Sequence, residues 1–196
     1  LREKAAAGFK EVVLTGTGLV TALGLGLAPL GGGATGLAPI DRFGVPVRPF
    51  EAGLVPRIDP REVDRRLELK GMDLCSRYAA LAARSALDGA GLRPRMKAES
   101  ETGLVVGLAT GPGQGEAEHL KAVFEGAFAL SSLGAFPYVV PNEVAGNVAR
   151  ALLLRGHSTA LAAGPGAGLV ACASAALAIR LGHAEAIVAL AADELT

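Results

Sequence analysis

Ser158–Glu194 reads STALAAGPGAGLVACASAALAIRLGHAEAIVALAADE, and the parsing of this stretch decides the fold. Ser158 to Ala163 is a short apolar strand. A Gly-Pro-Gly turn follows, with Pro165 where a first helical residue would sit; its fixed φ suits that position and its missing N–H is no loss there. From Ala167 to Ile179 there is no charged side chain and, apart from Ser174, almost no polar one. A helix that is apolar all round is buried on every side. The run is too short to span a bilayer; Arg180 closes it and Gly182 follows as a stop. Ala186 to Ala192 is a second apolar strand. The unit is strand, helix, strand, with a helix that belongs between layers.

Working outward, composition sets the frame. The chain has 196 residues, enough for one domain with a good core, and the whole of 1–196 reads as a single domain. Apolar residues make up 51%, and 27 glycines beside Ala-rich helices point to close helix–sheet contact. The 19 basic and 19 acidic residues cancel, so there is no footprint for nucleic acid or another polyanion. Neutrality with high apolar content suggests a large protein interface instead. Cys75 and Cys172 both fall in apolar helical stretches, which points to reduced thiols and not to a disulfide framework. The N-terminal LREKAAAGFK lacks the apolar core of a signal sequence, and no apolar run reaches membrane length. A cytoplasmic protein that uses no membrane is the expectation.

Glu11–Gly16, EVVLTG, reads as a β-branched strand that ends in a glycine turn. The following TGTGLVTALGLG invites a dinucleotide-binding reading. Its glycines are Gly16, Gly18, Gly24 and Gly26, however, and Thr21 stands where the fingerprint needs a third glycine. A plain Gly-rich turn is the reading, and no cofactor is expected. Ile40 to Asp59 is extended loop with short strands. Asp59-Pro60-Arg61-Glu62 has the cap and N1 proline of a helix start. Met72–Ala90 is the clearest helix, with Leu74, Cys75, Tyr78, Leu81, Ala82 and Ala86 on one face. Thr102–Gly107 is a strand with a loop behind it. Glu116–Gly126 is an amphipathic helix carrying His119, and Ala127–Tyr138 is irregular. Pro141-Asn142-Glu143 opens a helix that runs to Leu154. Alternating strands and helices mean an α/β domain with a largely parallel sheet.

Candidate chemistry is sparse. His119, His157 and His183 have no metal-like partner at short spacing, so no metal site is expected. Cys75 on an apolar helix face is a small core residue. Cys172, in VACASAALAI, resembles a nucleophile motif. It lies two turns inside its helix, however, where the dipole no longer helps and apolar packing raises a thiol pKa. No Gly-x-Ser-x-Gly elbow is present.

Five segments in order resemble the β-ketoacyl synthases, the condensing enzymes of the thiolase fold that build fatty acids and polyketides. They are VVLTGTGLVTALG, GATGLAPIDRFGVPV, MDLCSRYAALAARSALDGAGL, VVPNEVAGNVARALLLRGHSTALAA and LGHAEAIVALAADE. The resemblance implies the N-terminal half of a thiolase-like α/β fold: a mainly parallel, mixed sheet with a buried helix between layers. In the family the nucleophilic Cys opens that helix seventeen residues before the glycine that ends it. Counting back seventeen from Gly182 gives Pro165, whereas Cys172 is only ten before it. AAGPGAG offers no thiol, hydroxyl or amine at that place. The family's two catalytic histidines belong to its C-terminal half, which the resemblance does not reach.

The resemblance therefore implies no catalytic residue in this chain, with Pro165 at the nucleophile position. Chain-length-factor subunits of the family also replace the Cys and pair with an active synthase, and their A-G-G-L-like run is similar to GPGAGLVA. The implied function is a non-catalytic, chain-length-factor-like subunit. It would form a homodimer or a heterodimer with a ketosynthase, shape an acyl pocket, and meet an acyl carrier protein. The alternative is an active β-ketoacyl synthase with Cys172 as nucleophile, an acyltransferase. A third class is a small-molecule binding protein that uses the Gly-rich loops after the strands. The apolar helix needs cover on more than one side, so an obligate oligomer or a piece of a longer chain is expected. The end at Asp193–Thr196, directly after a strand, favours the latter.

Overall fold

The computed structural model describes residues 10–40, 50–92, 101–126 and 140–194. At its centre is a parallel three-stranded sheet of β5 (Gly103–Leu108), β6 (Ser158–Ala162) and β7 (Ile187–Ala191), in the order β6-β5-β7. The register pairs Val105 with Thr159 on one side and with Ala189 on the other. Two antiparallel pairs stand apart from it: β1 (Val20–Thr21) with β2 (Gly24–Leu25), and β3 (Leu37–Ile40) with β4 (Phe50–Gly53). The parallel sheet and its helices give the α/β class read from the sequence.

The alternation along β5 organises the two faces. Leu104, Val106 and Leu108 point into the main core. They meet α1 (Leu74–Gly89) through Leu81 and Leu87, and α3 (Glu143–Leu152) through Val144 and Val148. The Asp73 side chain caps α1 by accepting from the Ser76 backbone N–H at 2.8 Å. α3 ends two residues earlier than expected, because Leu153 turns left-handed at φ 58°. On the opposite face Val105 and Gly107 lie under α4 (Ala167–Arg180). The buried residues of α4 are Ala167, Ala171, Ala175 and Ala178, a stripe of small side chains that lets the helix sit close on Gly107.

The outer side of α4 is bare among the described residues: Leu169 is 80% and Leu177 55% exposed. The sheet supplies one of the layers expected around this helix, and its other flank lies open. α2 (Gly113–Phe124) is the amphipathic helix carrying His119, and it begins earlier than read. The helix start at Asp59 yields a 3-10 turn, Pro60–Glu62, with the Asp59 carboxylate accepting from the Arg61 N–H at 3.0 Å.

One expected element is not formed. Glu11–Gly16 makes no strand, and Val13 and Leu14 are exposed. A strand needs a neighbour for its ladder, and this segment runs instead against α1. Gly16 and Gly18 are there for close approach: a β-carbon on Gly18 would fall 1.9 Å from the Ala82 carbonyl oxygen. The irregular stretch at Ala127–Tyr138 lies outside the described residues. No helix among the described residues is long and apolar enough to cross a membrane.

Candidate functional site

The ends of β5, β6 and β7 meet at one edge of the sheet, and the site is built there. β6 leads into a tight 3-10 turn, Gly164–Gly166, with Gly164 at φ 62° and Pro165 at the head of the helix. The Ala163 N–H donates to the Leu108 carbonyl at 3.1 Å, tying this turn to the end of β5. Gly107 and Ala167 are in backbone contact directly behind it. No side chain caps α4. The run Ala163–Gly168 brings only backbone, methyl groups and a proline ring to the helix entrance.

Cys172 lies further along α4 and is exposed. The apolar packing expected around it is not supplied by the described residues. The reason is angular: position 172 is about 100° round the helix from Ala171, off the sheet-facing stripe. Cys75 is buried on α1, as expected, and burial pushes its thiol pKa up, with the negative charge of Asp73 adding to the effect. His157 pairs with the Thr159 hydroxyl at 3.2 Å, and His183 is exposed just beyond α4. No group of three or more metal-ligating side chains occurs among the described residues.

Two features escaped the sequence reading. Asp193, just past β7, accepts through Oδ1 from the N–H groups of Ala109, Thr110 and Gly111 at 2.8, 2.8 and 3.0 Å. Three successive amides form a concave nest that suits an anion, and here the chain's own carboxylate fills it and fixes the loop after β5. The second is Glu143, the first residue of α3. Its carboxyl pKa is pushed up to about 8, first by burial and then by the adjacent Asp73. Adjoining clefts of about 360 and 210 Å³ lie between α1 and the end of β7, and both are lined by Val55, Cys75, Tyr78 and Asp193.

This parallel sheet, with a Gly-Pro-Gly entrance to an alanine-striped helix, can be set beside known proteins. Residues 54–196 match the family model described as the N-terminal domain of beta-ketoacyl synthase. The chain belongs to the β-ketoacyl synthase family. It is 27% identical over 96% of its length to 3-oxoacyl-[acyl-carrier-protein] synthase 1 of Haemophilus influenzae. It is 32% identical over 94% of its length to 3-oxoacyl-[acyl-carrier-protein] synthase 2 of Vibrio harveyi. These matches span 48% and 46% of the two relatives, so the chain covers about half of each. Among solved structures it is similar to the ishigamide ketosynthase/chain length factor, with a TM-score of 0.77 and 26% identity, over 94% of this chain and 53% of that one. The ketosynthase-like chain thus carries the family's N-terminal sheet, with a thiol-free turn at the entrance to α4.

Proposed function

We propose that this chain is a non-catalytic, chain-length-factor-like subunit of fatty-acid or polyketide assembly. It is proposed to work in the cytoplasm as one domain, by dimerising and by shaping an acyl pocket. The observation that carries this reading is the turn Gly164-Pro165-Gly166 at the head of α4, where the family resemblance calls for a nucleophile and the chain has none. A condensing enzyme of this type needs a thiolate held where helix and loop dipoles can stabilise it. Cys172 is displaced from that point by about two turns of helix.

The open flank of α4 and the position of β6 at a sheet edge support pairing with a second ketosynthase-like chain. The similarity to a ketosynthase/chain length factor supports the same reading. An acyl carrier protein is proposed as a further partner, because the relatives are named 3-oxoacyl-[acyl-carrier-protein] synthases.

The test is intact-protein mass after incubation with an acyl thioester, followed by peptide mapping, beside an active 3-oxoacyl synthase as control. No acyl adduct on this chain, with an adduct on the control, is the expected result. An acyl group mapped to Cys172 would make the chain an acyltransferase and end the non-catalytic reading. Coenzyme A or nucleotide binding without any acylation would instead identify a small-molecule binding protein.

A further inference from the structure

The start of α1 and the start of α3, joined by the Asn147–Ser76 hydrogen bond, bring the carboxyl groups of Asp73 and Glu143 within reach of each other. Asp73 is committed through Oδ1 to the Ser76 N–H, and its Oδ2 is buried without a hydrogen-bond partner. Glu143 accepts through Oε1 from the Asn147 amide, and its Oε2 is likewise buried without a partner. Asn147 Nδ2 also donates to Ser76 Oγ at 3.2 Å, so the same short network ties the two helices together. Two acceptor oxygens cannot bond to each other, and two adjacent buried charges repel. A single proton resolves both problems by turning one carboxyl into a donor.

We propose that Asp73 and Glu143 form a proton-gated latch between the N-terminal ends of α1 and α3, closed when one proton lies between the two carboxyls and released when both ionise. Among the described residues no cation bonds to Asp73 Oδ2 or Glu143 Oε2. Arg77 sends its Nε to the Met72 carbonyl, Arg84 pairs with Asp88, and Arg150 donates to Asn147 Oδ1 at 3.4 Å, on the far side of that amide from Glu143. β5 and β6, also in contact with α3, carry no titratable side chain. Asp193 and Glu194 add negative charge around Cys75, which lies two residues from Asp73. Release would loosen the wall of the cleft that Leu74 and Cys75 line beside Asp193 and Glu194.

The sign follows from linkage. The Glu143 carboxyl is raised from its ordinary 4.5 to about 8, so the folded chain holds a proton that the unfolded chain releases. The latch is fully stabilising below 4.5, and its contribution is lost as pH rises to about 8.

Urea unfolding of the chain from about pH 5 to about pH 9 is therefore expected to show stability falling with pH. In Glu143→Gln the side-chain amide supplies a permanent donor to Asp73, and this slope should disappear. Asp73→Asn keeps a good helix cap while removing the charge, and should also flatten the profile. Carboxyl 13C titration by NMR reads the group directly, with Glu143 expected well above the ordinary glutamate range. A Glu143 midpoint near 4.5, or a Glu143→Gln protein with the parental pH slope, would overturn the latch. If that variant does not fold, the NMR midpoint in the parent and the Asp73→Asn profile decide. None of these outcomes depends on whether the chain can be acylated.

Discussion

Gly107 of β5 and Ala167 of α4 meet backbone to backbone: a β-carbon on Gly107 would lie 2.2 Å from the Ala167 carbonyl oxygen. Neither side of this contact is a flexible side chain, so an added methyl group can be housed only by lifting the helix off the sheet. Gly107→Ala is expected to lower stability by about 3 kcal/mol, the upper end for overpacking a close contact. The measurement is the urea midpoint, with the slope of the transition unchanged. A variant as stable as the parent would show that α4 does not rest on β5 this closely.

Gly146 is the counter-case. It lies inside α3, is exposed, and a β-carbon there would meet nothing within 4 Å. Gly146→Ala should therefore stabilise the chain by about 0.5–1 kcal/mol, through the lower backbone entropy of the unfolded state and better helix propensity. Thermal unfolding of the two alanine variants side by side should move in opposite directions from the parent.

These glycines also show how much the sequence disclosed. Periodicity marks α1, which buries the face set by its local pattern, while β5, β6 and β7 are legible as short apolar runs bounded by turn residues. The alanine stripe on α4 and Gly107 opposite it follow from the close helix–sheet contact that the Ala- and Gly-rich composition implies. The fate of Glu11–Gly16 was not readable, because its β-branched run is equally content lying along a helix when no sheet edge receives it. At the site, the absence of a thiol around Pro165 was plain in the residue order. The Asp193 clamp and the Asp73–Glu143 pair were not, because each joins residues far apart in sequence through geometry alone. An acid at a helix start or just after a strand is common, and its partner is fixed only by the fold.

Asp193 offers a third expectation. Its carboxylate serves three backbone N–H groups and the Thr110 hydroxyl. Asp193→Ala leaves the amides of Ala109, Thr110 and Gly111 to water where they can reach it. The side chain is exposed, so the stability loss should be modest, about 1 kcal/mol. The informative readout is local: amide exchange at these three residues should accelerate, while the buried Leu104–Val106 amides of β5 stay protected. Equal acceleration throughout β5 would mean that the clamp supports the sheet and not the loop.

The two cysteines provide the last expectation, which also probes the open flank of α4. Cys172 is exposed and Cys75 is buried with its thiol held protonated, so a neutral maleimide should label Cys172 alone in the folded chain. Cys75 should react only on unfolding. If a second ketosynthase-like chain covers α4, its addition should slow labelling of Cys172. Leu177 is exposed on the same helix, so Leu177→Arg should leave the fold of the isolated chain intact yet abolish both that protection and co-elution with the partner. Protection of Cys172 that survives Leu177→Arg would place the partner elsewhere on the chain. A Leu177→Arg chain that no longer folds would mean this flank already belongs to the core.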